Sequence, residues 1–461
     1  MDRVMTFPRS RILLALLLMT LTGALVAPAA SQADAGSGTS AAAAKKRKLA
    51  PRKGGHVRKA WPAKKSRGNR PRKQLARFLA KQVGPTKVAK RRKVTARTSA
   101  VIQEFLPAAK PSALRLVRSF DVPAGDPAAA RMANLSWTYD SALAAVALMF
   151  AGEKVQAEQL LDQLAALQRT DGSIDFAFNV TDGSSLQQFR SGSIAWIGLA
   201  AATYGNLYRS SRYNALAGGA ARWLLARRQS SGLLVGGPDV SWVSTQHNMI
   251  AWFFLSSLDD DVVTGLKESD LEKAVDAIGD GIERSLIVPV NSTQSAFVQG
   301  VGDTVRPLDV QTLGLLFLEA SGKGQSGRPS TADKVRAYLG SAYPVSGRSI
   351  VKSSDPLSFN ETYAATGPFS GYRPYADGAG PDVLWAEGTA QVRFALKALG
   401  ESTTTLDKTI SAWTALTSSG PLGSDRAAVG HEVNVYHVWP TSAAASWTMM
   451  GTGYASSVFD N

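Results

Sequence analysis

The strongest constraint on this chain is an alternation of two helix types along residues 101–461. One type opens with polar and aromatic residues and then turns rich in Ala, Leu and Gly, as in WTYDSALAAVALMF (Trp137–Phe150). Such a run has no polar face, so it must be covered on most sides. The other type is amphipathic: in KVQAEQLLDQLAALQ, Val155, Leu160, Leu161, Leu164 and Leu167 recur at helical spacing among charges, which calls for burial on one side. The pair returns as RSGSIAWIGLAAATYG before YNALAGGAARWLLARRQ, and as STQHNMIAWFFLSSL before SDLEKAVDAIGDGIERSLI. It returns again as RPLDVQTLGLLFLEAS before STADKVRAYLGSAY, and as DVLWAEGTAQVRFALKAL before TTTLDKTISAWTAL. A sixth buried-type segment, VWPTSAAASWTMMG (Val438–Gly451), has no partner after it, and the partner is expected from the other end, near Pro111–Ser119 or Ala100–Leu106.

Helical hairpins of this kind cannot hide their apolar faces alone, so they stack. Closing six of them gives an all-α fold, an (α/α)6 toroid with an inner barrel of parallel helices and an outer barrel running back. Strand signals are sparse, with hairpins expected only in long loops such as Ile287–Asp303 and Arg348–Asp377.

In a toroid the inner helices all begin on the same face, and their first turns converge. That gathers Asp140, Arg190, Gln246, His247, Asn248, Asp309, Glu387, His437 and Trp439 around one funnel. Trp137, Tyr139, Trp196, Trp252 and Trp385 lie near the same helix starts. Flat apolar rings beside carboxylates and amides suit sugars, whose C–H faces stack while their hydroxyls hydrogen-bond. Each residue also has a local reading. An acid such as Asp140 is favoured at a helix N-terminus by the dipole alone, Asp309 after Pro307 can serve as a cap, and Ser244 or Thr245 as an ordinary N-cap. Asp377 and Asp382 in YADGAGPD, and Asp171 and Asp175 around TDGS, read as rim or turn residues.

Charge divides the chain. Residues 1–100 hold 25 Lys or Arg against two Asp, whereas residues 101–461 hold 27 against 34 acids. Arg9 and Arg11 precede an apolar run, Ile12–Val26, followed by small residues at Ala27, Ala29, Ala30 and Ala33. This is the pattern of a secretory signal over residues 1–33, shorter than the roughly 20 residues a spanning helix needs. Residues 34–99 are rich in Lys, Arg, Ala and Pro, and are expected to be a disordered linker before a toroid domain over 100–461. The chain is then secreted, periplasmic or held at the cell envelope, with the basic tail available to an anionic surface polymer. Nucleic acid is disfavoured, because the tail offers only Trp61 and Phe78 for stacking. With no cysteine and four histidines, thiolate sites are excluded and a multi-histidine metal centre is not expected. No cofactor motif appears.

From about Asn134 to Gly451 the sequence resembles the six-hairpin glycosidase-like superfamily, through TYDSALAAVAL, LQRTDGS, STQHN, RPLDVQT and WAEGTAQ. It departs where relatives tend to carry glutamate at Gln246 and aspartate at Ile250. The resemblance implies a polysaccharide or oligosaccharide substrate, usually hydrolysed by paired carboxylates, for which Asp140, Glu387 and Asp309 are the candidates. Two alternatives stay open. One is a lyase for an acidic polysaccharide that uses Asn248, Arg190, His247 and Tyr139, and the other is a glycan-binding or export accessory protein without catalysis.

Overall fold

The computed structural model describes residues 70–84, 105–106, 108, 112–126, 128–258, 262–263, 265–324, 327, 329–352, 363–430 and 435–452. The signal segment, most of the basic tail, His56 and His431 lie outside the described residues. Among the described residues thirteen helices are formed, twelve of them in two concentric layers. The inner ones are α3 (Thr138–Ala151), α5 (Ser191–Tyr208), α7 (Thr245–Ser256), α9 (Leu308–Ser321), α11 (Ala386–Ala398) and α13 (Ser442–Met450). Each packs against the next and α13 closes on α3, so the ring is complete. The fold is an all-α toroid.

Inner helices are covered on nearly all sides because their sequences leave no polar face. In α3 every residue from Thr138 to Phe150 is buried. It stops at Gly152, whose φ of 79° is a left-handed conformation that favours glycine. The outer layer is α4 (Lys154–Leu167), α6 (Asn214–Leu225), α8 (Glu268–Ser285), α10 (Thr331–Ala342) and α12 (Thr404–Thr414), each packed on the inner helix before it. In α4 the buried stripe is Ala157, Leu160, Leu161 and Leu164, while Val155, expected on that stripe, is 63% exposed. It sits in the first turn, on the far side of the helix.

The sixth outer helix comes from an unexpected place. It is α1, Arg70–Gln82, which packs on α13 and α3. The expectation of disorder through residue 99 therefore fails here, and so does a sixth partner near Ala100–Leu106 or Pro111–Ser119. Leu75, Phe78, Leu79 and Gln82 recur at helical spacing and are all buried, and that stripe is enough to seat a helix whose other side is cationic.

Short strands occupy the loops. Strands β1 (Phe105–Leu106), β2 (Leu135–Trp137), β3 (Ala177–Asn179) and β4 (Ser185–Leu186) form an antiparallel sheet in the order β1-β4-β3-β2, which the sequence pattern did not announce. The two expected hairpins are present as β5 (Ile287–Pro289) with β6 (Ser295–Phe297), and β7 (Pro344–Ile350) with β8 (Ala365–Tyr372). A last pair joins β9 (Ala428–Val429) to β10 (Val435–Tyr436). The short helix α2 (Ala129–Met132) precedes β2. Among the described residues no helix is long and apolar enough to cross a membrane.

Candidate active site

The helix starts meet around a cavity of about 100 Å³. A buried water needs about 10–15 Å³ of such space, so there is room for roughly seven to ten, close to the heavy-atom count of one sugar ring. The second residue of an inner helix faces it in five cases of six: Tyr139, Gln246, Asp309, Glu387 and Ala443. The sixth is Gly192, on α5. Asp140, Trp385 and His437 also line the cavity.

Three carboxyl groups thus reach one space from three helices, and burial raises each of them. Glu387 is pushed up to about 8, first by desolvation and next by the charge of Asp140. Hydrogen bonds pull it partway back: the Tyr139 hydroxyl donates to its Oε1 at 2.9 Å, and the Gln391 amide at 3.4 Å. Trp447 Nε1 in turn donates to the Tyr139 oxygen at 2.9 Å, which fixes the direction of the chain. Both partners use Oε1, so the proton of neutral Glu387 belongs on Oε2, which has no protein partner among the described residues. Asp140, 1% exposed, rises to about 7 through desolvation, with the Ser119 hydroxyl opposing. Its Oδ1 has no hydrogen-bond partner. Asp309 rises to about 6 for the same reason, held down by backbone N–H groups at the start of α9.

The cavity carries an aromatic wall. Trp385 and Tyr436 meet edge to face at 6.0 Å, and Tyr436 meets Tyr375 at 6.5 Å. Trp385 and Tyr436 are both partly exposed, as a stacking surface must be. His437 is buried and stacked on Trp439 at 4.2 Å, and burial with the nearby Arg131 charge lowers it to about 3, so it is neutral.

Other expected residues stand behind the wall. Trp137 packs on Phe176 beneath the small sheet, Trp252 on Phe253 and Phe317, and Trp439 donates to Asp126 at 3.0 Å. Trp196 packs against Tyr139 and Trp447 and supports the hydrogen-bond chain rather than touching the cavity. Arg190 is 4% exposed and bonds Asp239 at 3.1 Å and Gln188 at 3.1 Å. Asn248 is fully buried with its amide bonded to the backbone of Leu234 and Ser244. His247 turns towards α5, where its ring lies so close that a Cβ on Gly192 would stand 2.3 Å from it. Both its ring nitrogens lack partners, and burial with the Arg190 charge lowers it to about 3. Ile250 is fully buried in the core.

Gln299, Tyr375, Tyr436 and Gln391 are among the lining residues that escaped sequence reasoning. Gln299 is 2% exposed with neither amide atom bonded, so its whole hydrogen-bonding capacity is left for the cavity. Gln391 could have been found as the i+4 neighbour of Glu387, and Tyr436 as the neighbour of His437. Gln299 and Tyr375 lie in loops, and only the folded chain brings them here.

No protein-family model and no curated protein matches this sequence. Solved structures do. A wild-type glycosidase aligns with a TM-score of 0.50 at 12% identity, covering 83% of this chain and 98% of its own. A tyrosine-to-phenylalanine variant described as a glycosidase gives the same values. A D-mannose isomerase, 13% identical, covers 85% of this chain and 98% of its own with a TM-score of 0.49. The chain therefore shares the toroid architecture of the wild-type glycosidase. Likeness at this identity fixes architecture alone, since one fold hosts many reactions.

Proposed function

We propose that the protein is a glycoside hydrolase-like enzyme acting on a polysaccharide or oligosaccharide, with the cavity holding one sugar ring. The observation that carries this reading is the meeting of Asp140, Asp309 and Glu387 in one cavity beside Trp385 and Tyr436. Hydrolysis needs one carboxyl group protonated and one ionised at working pH. Glu387, raised to about 8, is the proton donor, and Asp309, at about 6, is the ionised partner. Asp140 titrates between them, and its charge helps to keep Glu387 protonated. Glu387 Oε2 gives its proton to the glycosidic oxygen as the C1–O bond breaks. Asp309 supports the positive charge at C1, where a water oxygen then bonds, and the proton that water releases returns to the carboxylate pair. Trp385 and Tyr436 stack on the ring, and Gln246 and Gln299 bond its hydroxyls.

The lyase reading loses support, because Arg190, His247 and Asn248 do not line the cavity and, among the described residues, no lysine or arginine does. The N-terminal residues favour export, and protein recovered from the envelope or medium is expected to begin after one of Ala27–Ala33. The test is release of reducing ends from a panel of polysaccharides. Wild-type protein should release them without ultraviolet-absorbing unsaturated products. Glu387→Gln should still fold and melt cooperatively, and should lose about 10²- to 10⁴-fold in rate. Undiminished turnover in that variant removes Glu387 from the mechanism, and binding without cleavage by the wild type leaves a glycan-binding protein.

A further inference from the structure

The segment Arg118–Asp121 separates two cavities. Ser119 and Phe120 face the sugar-sized one, while Arg118 and Asp121 face a second, of about 660 Å³, whose other walls come from α1 and Ser418–Ser419. We propose that this second groove binds an acidic polysaccharide through its carboxylates. Lys73, Arg77 and Lys81 stand four residues apart on α1, so they form a row with steps of about 6 Å along the helix axis. All three are exposed, and among the described residues none is paired with a carboxylate. Arg118 adds a fourth cation, and Asp121 is the one carboxylate in the lining.

Two buried groups point to a ligand rather than to a solvated face. Gln82 is 2% exposed, lines the groove, and has an Oε1 with no partner among the described residues. Arg118 uses Nη2 on the Lys81 carbonyl at 3.2 Å but leaves a buried Nε unbonded. An acceptor and a donor lining one groove match sugar hydroxyls, while the cationic row matches carboxylates along a polymer.

Other polyanions fit less well. Nucleic acid would want exposed aromatic rings for its bases, and Phe78 is 3% exposed, its ring spent in the core. A membrane surface would want apolar side chains beside the cations. Among the described residues the exposed large hydrophobics are Val155, Val301, Val351 and Val429, none of them in this groove. The assignment stands independently of hydrolysis in the first cavity, because it concerns binding alone.

The test uses the full mature chain, with polygalacturonate as probe in affinity electrophoresis and calorimetry. Lys73→Ala, Arg77→Ala and Lys81→Ala are combined, since alanine preserves the helix. An equal charge loss, Lys45→Ala, Lys46→Ala and Arg47→Ala, serves as control. The groove variant should weaken binding at least tenfold and the control less than twofold, with both variants melting like the wild type. Equal weakening by the two variants overturns the site in favour of diffuse charge. So does equal binding of fully methyl-esterified polygalacturonate, no binding by the wild type, or tighter binding of single-stranded DNA that depends on the same three residues.

Discussion

Two sides of the same ring use their helix starts differently. On the side of α3, α9 and α11, first-turn carboxylates enter the cavity as Asp140, Asp309 and Glu387. On the side of α5 and α7, the polar residues Arg190, His247 and Asn248 are absorbed by the fold, and Gln246 alone of the expected residues reaches the cavity. Rotation separates the second positions from the fourth, though not the third, where Asp140 lines the cavity and His247 does not. Successive helical residues are turned by about 100°, so the second and fourth positions point roughly 200° apart. Second positions face the cavity, and fourth positions clamp the loop before the helix. Asn248 accepts the Leu234 N–H at 2.7 Å and donates to its carbonyl at 3.1 Å. Gln311, fourth in α9, does the same to Phe297 at 2.9 and 2.7 Å. Each also donates to the carbonyl of the residue capping its own helix, Ser244 or Pro307. Thr389 accepts from Tyr372 N–H and Ser141 from Val117 N–H in the corresponding places of α11 and α3.

The sharpest way to break this contrast is to neutralise one carboxylate on each side. Asp309→Asn should lower kcat/KM by at least about 10²-fold, in the range expected for a lost acid–base group. Asp239→Asn, which removes the exposed partner of Arg190, should change it less than about twofold, because neither residue lines the cavity. Comparable losses in both would mean that the α5 side takes part in the chemistry. Next in size is Asn248→Ala. It strips the Leu234 N–H and carbonyl of their partners in a fully buried place, and should cost about 2–4 kcal/mol in urea denaturation. Turnover per folded molecule should remain, and a selective loss of kcat would return Asn248 to the site.

The ring itself was legible from sequence because burial on all sides leaves a clear mark: α3, α5 and α7 carry apolar or small residues on every face beyond their first turns. Helix α1 was illegible for the opposite reason. Five of its thirteen residues are Lys or Arg, and a tally of charge hides Leu75, Phe78 and Leu79 on one side. Within the site, proximity along the chain misled. His247 adjoins Gln246, yet its ring meets Gly192 on α5 instead of the cavity. Gln299 carries no local signal, because its place depends on the β6 loop crossing to the mouth of α7, where the Thr245 N–H bonds its carbonyl at 2.9 Å.

The raised carboxyl groups give the contrast a pH dependence. An unfolded chain releases the Glu387 proton near 4.5, while the folded protein holds it until about 8. Across that window the native state binds more protons than the unfolded state, so stability falls as pH rises. Asp140 and Asp309 add to the fall up to about 7 and about 6. Glutamine cannot ionise, so Glu387→Gln should gain on the wild type between pH 5 and pH 8 by about 2 kcal/mol, allowing for partial exposure at the cavity. Asp239→Asn should follow the wild-type slope. Parallel curves for Glu387→Gln and wild type would show that Glu387 ionises normally and is no proton store.

The smallest effect tests the one residue of α7 that crosses to the cavity side. Gln246 is partly exposed and bonds no protein group among the described residues, so Gln246→Ala leaves nothing unsatisfied and should shift unfolding by less than about 0.5 kcal/mol. If its amide holds a sugar hydroxyl equally in ground and transition states, KM should rise about three- to tenfold with kcat unchanged, as a lost hydrogen bond of about 1 kcal/mol implies. A fall in kcat with KM unchanged would instead place Gln246 against the breaking bond, and the α7 side of the ring would then share in catalysis. The second-position rule would survive that result, since it states where a side chain points. The division of labour between the two sides would not.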